Sequence, residues 1–113
     1  MPEARLAAGI EASAFLRRAE ALGGCGAVLH KGDAERGALL LAISERGIPL
    51  SCLARALGAE GRYGWARVGP SQAEAPMLTD FLARRRRSDP DEWQIELDIP
   101  LAERFIAETI AMG

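Results

Sequence analysis

Residues 38–43, Ala-Leu-Leu-Leu-Ala-Ile, are apolar at every position. Bounded by the polar turn 31–37 and by Glu45-Arg46-Gly47, the run reads as a strand. A strand without alternation is normally covered on both faces. Something must therefore lie on each side of the sheet that contains it, and the rest of the chain has to supply both layers.

The other strands are easier to read. Residues 25–30 form the first, residues 48–56 the third and residues 62–68 the fourth, with Tyr63 and Trp65 on one face. Pro49 suits an edge or a strand start, because proline donates nothing to a ladder. Residues 93–99 alternate cleanly. Trp93, Ile95, Leu97 and Ile99 point one way, and Glu92, Gln94, Glu96 and Asp98 the other, which predicts one buried and one wet face.

Three helices complete the chain. The first spans residues 10–22, with Ala12, Phe15, Leu16, Ala19 and Leu22 on one face, and Gly23-Gly24 ends it. A short extended piece around residues 5–8 is weakly signalled. The second follows Gly69-Pro70: Ser71 and Glu74 have capping-box spacing, and Met77, Leu78, Phe81 and Leu82 share an inward face. Pro76 costs about 3 kcal/mol in a helix interior, which moves the regular helix toward Ala75. Asp89-Pro90-Asp91 stops it, since proline disfavours helical geometry at the residue before it. After Pro100 a short amphipathic helix places Leu101, Phe105, Ile106 and Ile110 on one face.

The predicted order is α-β-β-β-β-α-β-α, an α+β fold in which a mostly antiparallel sheet of about five strands packs with three helices and the first four strands form a meander. Three helices cover one face of such a sheet fully and the other in part. A second copy, related by two-fold symmetry, is one way to cover the remainder.

At 113 residues the chain makes one globular domain, 1–113, long enough to bury about two-thirds of its unfolded surface. The apolar fraction of 49% and charged fraction of 27% are those of an ordinary globular protein. Net charge is −2, so nucleic-acid binding would need a local basic patch. Charges recur throughout residues 1–24, with no apolar core of signal-peptide length and no membrane-spanning run. The expected compartment is the cytoplasm, where Cys25 and Cys52 stay reduced.

The basic patch is Arg84, Arg85, Arg86 and Arg87 at the end of the second helix. Four successive residues step about 100° each, so they cannot point the same way. Arg85, four residues beyond Phe81, falls at the border of the buried face and is expected to pair with a carboxylate, for which its planar fork is suited. Arg84 and Arg87 face water. The candidate interaction surface is Arg17, Arg18, Arg84, Arg86, Arg87, Asp89 and Asp91. A phosphate backbone would be recognised through such arginines. However, Asp89, Asp91 and Glu92 partly cancel the patch, no aromatic residues interleave with it to stack bases, and a helix C-terminus favours cations anyway.

The turn His30-Lys31-Gly32-Asp33 invites a second hypothesis, a pocket formed by His30, Lys31, Asp33, Arg85 and Trp93. Gly32 and Asp33 are also ordinary turn formers. No metal site is expected, because a single histidine and two separated cysteines give no ligand spacing. The serines and cysteines include no nucleophile elbow, and the glycines 23, 24 and 26 follow a helix rather than a strand, so neither a catalytic residue nor a cofactor is assigned.

Leu16-Arg17-Arg18, Gly26-Ala27-Val28, Lys31-Gly32-Asp33 with Gly37, and Leu82-Ala83-Arg84 leading into Asp89-Pro90-Asp91-Glu92-Trp93 and Glu96 together resemble an alphaproteobacterial family, domain of unknown function 1491. The resemblance spans nearly the whole chain. It implies a small single-domain bacterial protein and carries no catalytic residues. The function expected is a non-enzymatic protein-interaction module, as a homodimer or with another protein. The alternatives are a nucleic-acid accessory protein using the four arginines, and a small-ligand binder or enzyme using the pocket.

Overall fold

In the computed structural model, which describes residues 6–112, the apolar run becomes β2 (Leu39–Glu45), buried from Leu39 through Ser44. The remaining elements are α1 (Ala8–Ala21), β1 (Cys25–His30), β3 (Ile48–Leu57), β4 (Tyr63–Val68), α2 (Leu78–Ser88), β5 (Trp93–Asp98) and α3 (Ala102–Ala111). The element order is the predicted one. Alternate residues of β2 enter two separate cores. Leu39, Leu41 and Ile43 pack with α1, α3 and the apolar face of β5, while Leu40 and Ala42 meet Cys52 and Leu82 of α2. Each fully buried leucine or isoleucine contributes about 1.5–3 kcal/mol, so neither layer is dispensable.

The sheet runs β1-β5-β2-β3-β4, which corrects the expected four-strand meander. Only β2, β3 and β4 form one. β5 inserts between β1 and β2, antiparallel to the first and parallel to the second. A parallel return needs a long crossover, and the chain makes it through β3, β4 and α2. Pro49 lies opposite Ser44 of β2, beyond β4, whose pairing with β3 begins at Cys52. The missing donor therefore costs no second ladder.

Two helix boundaries move. α1 already includes Ala8, and Leu6 and Ala7 form no strand; Arg5 lies outside the described residues. Gly23, at φ +88°, takes the left-handed position that ends the helix. Pro76 falls in a 3-10 helix, Gln72–Met77, so the regular helix starts only at Leu78. Ser71 N–H and Oγ–H both donate to Glu74 Oε1, at 3.0 and 3.1 Å. Because Met77 ends this segment, it is exposed rather than inward.

Glycines let the turn after β1 seat against the start of β5. A Cβ on Gly32 would sit 2.1 Å from the Asp91 carbonyl oxygen, and one on Gly37 2.3 Å from the same atom. Neither position has room for a side chain. Asp33 N–H donates to that carbonyl at 2.9 Å, so the contact is a hydrogen-bonded backbone crossing.

Candidate functional site

The arginine run divides in two because α2 lies on a polar stretch of β5. Glu92 and Gln94, expected to face water, are buried at 4% and 0% exposure beneath the helix. Alternation had placed them correctly on the face opposite Trp93 and Ile95, but that face is roofed over its first half. A buried carboxylate without a partner would cost several kcal/mol, and a buried amide less.

Arg85 and Arg86 supply the partners. Arg85 Nε–H donates to Glu92 Oε1 at 3.1 Å, and its Nη2 pairs with Oε2, the bidentate arrangement expected from its position. Glu92 in turn holds the Arg85 guanidinium above its ordinary pKa. The Arg85 guanidinium lies 5.8 Å from the centre of the Phe81 ring. Arg86 Nη1–H donates to Gln94 Oε1 at 2.7 Å, and Gln94 Nε2–H donates to the Leu82 carbonyl at 2.9 Å. Arg86 is thus partly buried and committed to the fold, a correction to its place among the surface charges. Arg84, Arg87, Asp89 and Asp91 are exposed.

Arg17 and Arg18 do not extend this patch. They belong to α1, on the opposite face of the sheet from α2, and Arg18 is half-buried, 4.6 Å over the Phe105 ring. A single basic surface built from both helices is therefore not formed.

The five residues of the predicted pocket are only partly assembled. His30 Nε2–H donates to the Pro90 carbonyl at 2.9 Å, and Trp93 Nε1–H to the Asp33 carbonyl at 2.8 Å. Asp33 Oδ1 accepts from the amides of Glu35 and Arg36 at 2.9 and 2.7 Å. Those two amides hold the Asp33 carboxyl below its ordinary value of 3.8. A depressed folded pKa contributes stability above that value and loses it as pH falls through the folded one. The residues are thus joined by a hydrogen-bonded turn. Lys31 is exposed beside it, and Arg85 is engaged with Glu92 under α2. A cleft of about 250 Å³ nearby is lined by Leu6, Glu11, Glu35, Arg36, Gly37 and Ala38, none of them in the predicted set.

Among the described residues no cluster of histidine, cysteine and carboxylate side chains could hold a metal ion. Both cysteines are free thiols; Cys25 is exposed, and burial pushes the Cys52 thiol up to about 11. No helix among these residues is long and apolar enough to cross a membrane.

Sequence reasoning did not find a second, partly buried pair. Glu11 of α1 binds Arg55 of β3 through both carboxylate oxygens, and the Arg55 guanidinium stacks 4.4 Å over Trp65. The two residues are 44 apart in sequence, and neither stands out in its own pattern.

A double-mutant cycle isolates the Arg85–Glu92 pair. Arg85→Ala strands Glu92 and is expected to cost about 2–3 kcal/mol in chemical denaturation, below the full buried-pair value because Arg85 retains some solvent. Arg85→Met with Glu92→Leu recovers most of that loss. Losses for Arg85→Met and Glu92→Leu that simply add in the double variant would show that the two side chains do not interact.

A family model described as "Protein of unknown function (DUF1491)" matches residues 6–107. A crystal structure of a DUF1491 family protein from Caulobacter crescentus CB15 is 33% identical, with TM-score 0.70 over 81% of this chain and 86% of that one. An NMR structure of a DUF1491 family protein from the same organism is 29% identical, with TM-score 0.74 over 88% and 91%. The solution structure of protein Atu0922 from A. tumefaciens is 25% identical, with TM-score 0.69 over 86% and 88%. Comparison with curated proteins gives no match. With a family model covering almost its full length and relatives of the same fold and size, this chain belongs to the DUF1491 family.

Proposed function

We propose that this chain is a non-enzymatic protein-interaction module that presents the end of α2 to a protein partner. One observation carries the reading: two arginines of the run are consumed by Glu92 and Gln94, leaving Arg84 and Arg87 exposed beside Asp89 and Asp91. A surface of both signs on a rigidly held helix end suits charge-complementary recognition of another protein. It suits a nucleic-acid backbone poorly, because two carboxylates oppose the two remaining cations.

A second reading, self-association, rests on β1. Among the described residues this strand pairs only with β5, exposes five of its six residues, and includes no charged residue or proline. Such an edge is a template for strand pairing, normally blunted by those residue types. Ala27, small and exposed at its middle, would lie beside a second β1 paired about a two-fold axis.

Affinity capture from the native host, with and without nuclease, tests the first reading. The wild-type chain should retain protein partners after nuclease treatment, and Arg84→Glu with Arg87→Glu should lose them. Partners that vanish on nuclease treatment would assign the surface to nucleic acid instead. Sedimentation tests the second: the wild-type chain should run at twice its 12.1 kDa mass, and Ala27→Lys at the monomer mass with an unchanged melting temperature. A wild-type monomer at high concentration contradicts it.

A further inference from the structure

The protein builds one local arrangement three times, a guanidinium laid on an aromatic ring. Arg55 lies over Trp65, Arg85 over Phe81 and Arg18 over Phe105, at 4.4, 5.8 and 4.6 Å from the ring centres. In two cases the fork of the same arginine grips a carboxylate, Glu11 for Arg55 and Glu92 for Arg85. Arg18 is also half-buried, yet no described carboxylate lies within ion-pairing distance of it. A guanidinium stacked and partly desolvated binds a carboxylate more strongly than a free one does.

Arg18 stands in a cleft of about 300 Å³ between the end of α1 and the start of α3. Its walls include Leu22 and Leu101, exposed by 44% and 67%. Leu101 is held at φ +54°, in the left-handed region that a leucine rarely adopts. An apolar side chain is thus presented to the cleft at a cost in backbone strain. Arg104, at the rim, adds a second cation, partly offset by its contact with Glu108 at 3.3 Å.

We propose that this cleft binds a small anionic amphiphile, a carboxylate on a short apolar chain. The carboxylate completes the Arg18 fork, as Glu11 and Glu92 complete the other two, and the chain lies against the exposed Leu22 and Leu101. Two cations against one carboxylate set the sign of the ligand, and the leucines set its tail.

The test is a nuclear magnetic resonance titration of the isotope-labelled full chain with octanoate below its micelle concentration. Acetate serves as head group alone and octan-1-ol as tail alone. Saturable shifts should concentrate at Arg18, Leu22, Leu101 and Phe105, with acetate and octanol both weaker. Arg18→Gln should weaken octanoate about tenfold, the loss of one charge-assisted bidentate contact. Leu101→Asn keeps a residue tolerant of the left-handed backbone while removing the apolar wall. It should weaken octanoate severalfold and leave octanol without a site, and it decides the matter should Arg18→Gln fold poorly. Octanoate that shifts none of these amides, binds both variants as it binds the wild type, or is matched by octanol would overturn the proposal.

Discussion

The parallel seating of β5 against β2 is the contact on which the rest of the molecule depends. It fills the centre of the sheet with two strands whose side chains are covered on both faces over much of their length. On one face the covering is apolar and simple: α1 and α3 close over Trp93, Ile95, Leu97 and the odd-numbered residues of β2. On the other lie Gln94 of β5 and Glu92 just before it, and a helix that merely excluded water from them would destabilise the fold. Two successive arginines resolve the conflict, because adjacent helical positions diverge by about 100° and so reach two different residues, Glu92 at the entry to the strand and Gln94 within it.

That arrangement also decides which charges remain for function. The run Arg84, Arg85, Arg86 and Arg87 is locally a basic patch of four, but half of it is spent inside the fold. What survives at the surface is a pair of arginines next to a pair of aspartates, on a helix whose position is set by buried contacts. This small mixed-charge surface supports the proposed recognition module; in catalysts, perturbed groups tend to gather in clefts. Here the perturbed groups are structural: Asp33 caps a turn, Glu74 closes the start of the 3-10 helix, and Cys52 is a core residue.

Much of the fold was legible in the residues themselves, wherever a local pattern carries the information. The unbroken apolar run in β2, the alternation of β5, the glycines after α1 and the Asp-Pro break after α2 each specify an element without reference to distant contacts. The partnering of Arg85 was legible for the same reason, since its spacing from Phe81 placed it on the helix border. Strand order was not. Alternation tells a strand which face is buried but not which neighbour it takes, so the insertion of β5 between β1 and β2 left no trace in either pattern. The burial of Glu92 and Gln94 was hidden likewise, because a polar residue under a helix and one in water look identical in a sequence. For the candidate site, the exposed pair Arg84 and Arg87 could be read from the helix wheel, whereas the Arg55–Glu11 pair and the cleft at Arg18 arise only from tertiary packing.

The claim that two of the four arginines are fastened to β5 and the residue before it has a direct readout in the side chains. Nuclear magnetic resonance of the arginine Nε–H groups at neutral pH should show a separate, slowly exchanging signal for Arg85, whose Nε–H is bonded to Glu92. Arg84 and Arg87 should exchange rapidly with water and overlap at the position of free arginine. An Arg85 signal that exchanges as fast as those two would mean that α2 is not pinned to the strand, and the division of the run into structural and surface halves would fail.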